Sequence, residues 1–139
     1  MESFLYKSPF VYDKTPSRLR YYHTLDFMLN DAKVTVDCKI DTGSPVTIIG
    51  MKNRYVEYYA NYIRQHGAQA SNLESATRGD ISRYILTVQD LRLTDEIIFP
   101  EVTISFSDDI GDKALIGMDL LTLFSFKYSL KDKLISLFY

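Results

Sequence analysis

Tryptophan is absent from this 139-residue chain, and cysteine, proline and glycine are scarce, at one, four and six residues. A lone cysteine, Cys38, rules out an internal disulfide framework and makes a reducing cytoplasm the expected compartment. No run reaches the roughly 18 apolar residues that a membrane-spanning helix needs. The most apolar stretch, 114–126, is interrupted by Asp119. The opening MESFLYKSPFVYDK lacks the apolar block that follows a basic start in a signal peptide, so a soluble protein without a membrane partner is expected. An excess of charge is missing too. Sixteen basic and eighteen acidic side chains leave a formal net charge of −2, which creates no field to gather phosphate, and nucleic acid is not an expected partner. Neither a Gly-x-Ser-x-Gly elbow nor a glycine-rich Lys-Ser/Thr loop occurs, which disfavours a serine hydrolase and a phosphate-loop enzyme. His23 and His66 have no neighbouring ligand set, so no metal or organic cofactor is expected.

The chain does carry apolar pattern. With 46% apolar residues it supports one domain with a real core and is too short for two ordinary ones. Residues 1–20, with Pro9, Pro16 and clustered Lys14, Arg18 and Arg20, show no sustained period and read as an irregular N-terminal arm. Residues 21–139 read as a single domain. Val34, Val36, Cys38 and Ile40 fall on one face at period two, and with 22–29 they make a hairpin turning at Asn30-Asp31. Tyr55, Val56, Tyr59, Tyr62 and Ile63 recur at helical spacing, which predicts an amphipathic helix over 52–66 with Gly67 as a left-handed cap. Strand patterns return at 83–93, at 97–99 and 102–106 around Pro100, at 114–116, and in a last hairpin about Lys131-Asp132. A short apolar helix follows Gly117. Period two over most of the chain predicts a mainly β, closed antiparallel domain with these two helices.

Chemistry concentrates where the first hairpin ends, at Ile40-Asp41-Thr42-Gly43-Ser44. A carboxylate at a strand end is rigidly held, and the glycine behind it permits a tight turn. Alone, Asp-Thr-Gly is also an ordinary turn. A second motif, Ala114-Leu115-Ile116-Gly117-Met118-Asp119-Leu120-Leu121, gives it context. An apolar strand into Asp-Thr-Gly-Ser, followed downstream by apolar-apolar-Gly-x-Asp-x-Leu, resembles the retropepsin-like aspartic peptidases, and the resemblance runs from about Tyr22 to Tyr139.

That resemblance implies a retropepsin-type acid protease barrel with Asp41 as the catalytic aspartate. It implies that Thr42 helps lock two protomers' catalytic loops together and that Gly43 lies beside bound substrate. Ser44 stands where retroviral members often carry alanine, and its hydroxyl is expected on the outer oxygen of Asp41. Ile116, Gly117 and Asp119 belong to the strand and corner that brace the loop, with Asp119 capping backbone amides rather than doing chemistry. Arg78 and Gly79 end the polar stretch 68–80 and are the candidates for a flap over substrate. The retroviral Gly-Arg-Asn or Gly-Arg-Asp reads Gly117-Met118-Asp119 here, so arginine-based contacts between protomers are replaced or absent.

Peptide hydrolysis of this type uses two carboxylates around one water, one ionised and one protonated. One Asp-Thr-Gly in so short a chain implies that the second carboxylate comes from another copy by twofold symmetry. The expected protein is thus a homodimeric aspartic endopeptidase acting on a peptide or protein, with apolar side chains flanking the cut bond. The rival reading is a catalytically inactive retropepsin-fold module that dimerises and binds peptides.

Overall fold

The computed structural model describes residues 5–9, 11–12, 21–69, 83–123, 125–129, 131 and 134–138. Its strands in chain order are β1 (Leu5–Pro9), β2 (Val11–Tyr12), β3 (Tyr21–Leu29), β4 (Ala32–Ile40), β5 (Ile48–Gly50) and β6 (Ala68–Gln69). They continue as β7 (Arg83–Arg92), β8 (Ile98–Ser107), β9 (Ala114–Ile116), β10 (Ser125–Ser129) and β11 (Leu134–Phe138). Helix α1 (Ala60–His66) follows a single 3-10 turn at Glu57–Tyr59, and α2 (Met118–Leu121) follows β9.

Period two builds the first hairpin as expected. Leu25, Phe27 and Leu29 of β3 and Val34, Val36 and Cys38 of β4 are all buried, while their alternates face outward or lie half-buried. The connection is a two-residue turn in which Asn30 and Asp31 both take positive φ, 50° and 63°. Such a turn matches the right-handed twist of the flanking strands, and Asn and Asp tolerate its dihedrals better than most residues.

Six strands close the barrel in the order β3-β4-β9-β5-β8-β7, and β7 returns to β3. The expected closed, mainly β architecture is present, but it is not purely antiparallel. β4 pairs with β9 and β5 with β8 in parallel. The two strands of each parallel pair lie far apart in sequence, which hairpin reasoning along the chain does not reveal. Leu25, Phe27, Val36, Ile49, Phe106 and Ile116, each at most 1% exposed, fill the interior.

Three local expectations change. The helix starts at residue 57 rather than 52, because Asn53 organises the residues before it. Its Oδ1 accepts the Tyr55 amide at 3.0 Å, and its Nδ2 donates to the Asp112 carbonyl at 2.9 Å. Gly67 is extended, φ −80° and ψ 141°, not left-handed. A Cβ there would lie 2.7 Å from the Ile63 carbonyl oxygen and 3.0 Å from Tyr84 Cβ, so close approach to β7 explains the glycine. β8 runs unbroken through Pro100. Opposite it, Asp90 adopts φ 50° and the ladder skips one pair, which accommodates a residue without an N–H.

The N-terminal arm is not wholly irregular either. β1 pairs with β11, which also pairs with β10, to form a separate three-stranded sheet, and β2 pairs with β3. Strands this short, with partners supplied from far along the chain, leave no periodic signature of their own. Among the described residues no helix is long and apolar enough to cross a membrane.

Candidate active site

Asp41 stands at the end of β4, where the parallel pairing with β9 stops. Its amide donates to the Ile116 carbonyl at 3.0 Å, so the neighbouring strand fixes the backbone beneath the carboxylate. The loop that follows is folded by Asp41 itself. Its carbonyl accepts the Ser44 amide at 3.1 Å and its Oδ1 accepts the Gly43 amide at 2.9 Å. A Cβ on Gly43 would sit 3.2 Å from that Oδ1, a tight contact that glycine avoids. One carboxylate oxygen is thereby held by the loop. The other, Oδ2, lies 3.8 Å from Lys39 Nζ, and both side chains remain partly exposed, at 28% and 37%. A pair this long and wet contributes less than about 1 kcal/mol to stability.

Thr42 is exposed on the single chain, and so is Gly43. The Ser44 hydroxyl departs from its expected role. It donates to the Val46 carbonyl at 2.7 Å rather than to Asp41, because the turn at Pro45-Val46 brings that carbonyl back over the side chain. Ser44 therefore stiffens the far side of the loop and leaves the carboxylate to the Gly43 amide and Lys39.

The downstream motif meets this loop through a dense set of bonds. Met118 donates its amide to the Ser44 carbonyl at 2.8 Å and Asp119 donates its amide to the Pro45 carbonyl at 3.2 Å. Asp119 Oδ1 accepts three donors: the Thr47 amide at 2.9 Å, the Thr47 hydroxyl at 2.7 Å and the Leu120 amide at 2.8 Å. The Thr47 oxygen in turn accepts the Gly117 amide at 3.2 Å. Gly117 is required by proximity, since a Cβ there would fall 2.2 Å from the Val46 carbonyl oxygen. Gly117 and Asp119 thus lie against residues 44–47, Ile116 holds the Asp41 amide, and the bonds of the Asp119 carboxylate go to Thr47 and Leu120.

Thr47 and Lys39 are the site residues that pattern reading misses. Thr47 is a buried polar residue, 1% exposed, placed directly before the apolar Ile48-Ile49. Lys39 shares the outward face of β4 with Asp41, a relation that period two alone supplies. Arg78 and Gly79, the flap candidates, lie outside the described residues. Cys38 is fully buried, and burial, with a smaller contribution from Asp37, pushes its thiol far above the ordinary 9.0, so it remains a protonated core residue. The His23 ring bonds the Leu93 carbonyl, and among the described residues no three His, Cys, Asp or Glu side chains gather into a metal-binding group.

No family model matches the chain, and no curated protein does either. Solved structures do. A retropepsin-like aspartic protease from Rickettsia conorii superposes with a TM-score of 0.63 at 14% identity, covering 99% of this chain and 94% of that one. The retroviral protease-like domain of Ddi1 from Leishmania major gives a TM-score of 0.47 at 14% identity, covering 79% and 81%. At this identity the likeness concerns the fold: the chain has the retropepsin-like architecture.

Proposed function

We propose that this chain is one protomer of a homodimeric aspartic endopeptidase, with a water held between the Asp41 carboxylates of two copies. The observation that carries the reading is Asp41 at the end of a barrel strand, anchored through its amide to Ile116 and partly exposed. In such a pair the ionised Asp41 takes a proton from the water as its oxygen attacks the peptide carbonyl carbon. The protonated Asp41 of the other copy hydrogen-bonds the carbonyl oxygen. Collapse of the tetrahedral intermediate then breaks the C–N bond as a proton passes to the leaving nitrogen. Exposure of Thr42 and Gly43 leaves this loop open to a second copy and to an extended peptide. A reducing cytoplasm suits a chain whose one cysteine is buried.

The test is Asp41→Asn. Asparagine keeps an Oδ1 for the Gly43 amide, so fold and dimer persist while hydrolysis is lost, because the amide cannot take a proton from water. Mixing variant with wild-type chains separates a shared site from two independent ones. After full subunit exchange, activity follows the square of the wild-type fraction, and an equal mixture retains about one quarter. A linear decline means each protomer works alone. If the wild type cuts no member of a mixed peptide library yet still dimerises and retains peptides, the binding-module reading replaces this one.

A further inference from the structure

A cavity of about 400 Å³ is lined by Tyr22, Asp37, Lys39, Asp112, Lys113 and Leu115 together with Ala114, and Lys39 links it to Asp41. Its floor is the parallel pairing that also carries the catalytic loop, since Lys39 is in register with Leu115 and Ile40 with Ile116. An extended peptide whose scissile carbonyl sits at Asp41 projects the side chain of a flanking residue within roughly 5–8 Å of that carbon, given the spacing of an extended chain. Lys39 Nζ, 3.8 Å from Asp41 Oδ2, is inside that reach.

The lining carries charges of both signs, and their positions decide between them. Asp37 already accepts the Thr24 hydroxyl at 2.8 Å and is one strand repeat farther from Asp41 than Lys39. Asp112 and Lys113 are adjacent in the chain and bring one charge of each sign. Of the lining charges, the Lys39 ammonium is the one paired with Asp41. It has three donors, and its contact with Asp41 is long. An apolar side chain entering here strips water from that ammonium and returns no hydrogen bond, and a basic one meets a like charge. A carboxylate gains a charge-assisted hydrogen bond and has the cation between itself and Asp41.

Resting on the endopeptidase reading, we propose that this cavity is the subsite for the residue flanking the scissile bond, that it takes an Asp or Glu side chain, and that Lys39 selects it. This departs from the apolar flanks expected from sequence. Twofold symmetry presents the cavity on both sides of the cut.

The experiment compares kcat/KM for peptides identical except for Glu, Gln, Leu or Lys at the flanking position, at a pH where the substrate Glu is ionised. Glu should exceed Gln by roughly ten-fold, the scale of one charge-assisted hydrogen bond in a half-exposed site. Lys39→Glu should reverse the order to favour Lys, and Lys39→Met should move the preference to Leu, with circular dichroism and dimer mass checked for both. Equal rates for Glu, Gln and Leu, or an unchanged order in a folded, dimeric variant, overturn the subsite and leave the endopeptidase reading standing. A wild type that cuts no peptide of the series or of a mixed library overturns both.

Discussion

Replacing Gly117 by alanine tests whether the bracing corner holds the Asp41 loop. The backbone there, φ −101° and ψ −174°, is extended and open to any residue, so alanine brings no conformational strain. The whole effect is proximity. Its Cβ would lie 2.2 Å from the Val46 oxygen, 2.4 Å from the Val46 carbonyl carbon and 2.8 Å from the Ser44 oxygen, all backbone atoms that no rotamer can move. Relief requires the corner and residues 44–47 to part by about 1 Å, the gap to ordinary van der Waals contact. That movement stretches the bonds from Met118 to Ser44, from Asp119 to Pro45 and from Gly117 to Thr47. At about 1 kcal/mol each, less a few tenths regained from a stiffer unfolded chain, the expected loss is roughly 2–3 kcal/mol. Urea unfolding followed by circular dichroism reads this directly, with Gly111→Ala as reference. Gly111 has φ +64° and open space around it, so alanine there costs only about 1 kcal/mol of backbone strain. On the proposed endopeptidase reading, cleavage of peptides at a temperature where the variant is folded should also fall, since the loop beneath Asp41 has moved. If Gly117→Ala is no more destabilising than Gly111→Ala and retains full activity, the corner does not hold the loop.

Asp119→Ala strips three donors of their acceptor, including the amide and hydroxyl of the buried Thr47, and should cost roughly 2–3 kcal/mol by the same assay, whereas Asp119→Asn keeps the accepting oxygen and should cost well under half of that. Equal losses would show that the carboxylate's charge, not its geometry, matters. The buried Cys38 gives a pH dependence. Its thiol is held protonated by burial, so its contribution to stability is fully present below the ordinary 9.0 and is lost as pH rises above it, by up to about 1.4 kcal/mol per unit. Unfolding measured from about pH 8 to pH 10 should show a steeper decline for the wild type than for Cys38→Ala, and parallel curves would contradict this assignment.

Residues whose neighbours are local were legible in the sequence. Val34, Val36 and Cys38 alternate because one face of β4 is buried, and Asn30-Asp31 announces its own turn. Asp41 at the end of that strand followed from the same alternation. What escaped depends on partners far away in sequence. Residues 52–56 have helical spacing, yet Asn53 is bonded to Asp112, and this tertiary tie outweighs local propensity. The parallel pairings are likewise long-range, and the Ser44 hydroxyl chose between two nearby acceptors on the path of a single turn. Lys39 looked like one more outward alternate, because a cavity formed with Lys113 and Leu115 has no trace in a period of two.

The bonding of the loop to its brace also governs when the site can exist during synthesis and refolding. Thr47 meets Asp119, 72 positions later in the chain, and the Asp41 amide has Ile116 as its acceptor. The hairpin of β3 and β4 closes on itself early and cheaply, but the carboxylate at its open end gains a fixed backbone only after a long loop has been closed and its entropy spent. A growing chain that has not yet delivered residues 114–121 carries Asp41 on an unbraced turn. Ordering of the Asp41 loop is thus coupled to completion of the barrel, and partly made chains lack the braced carboxylate that the proposed hydrolysis needs.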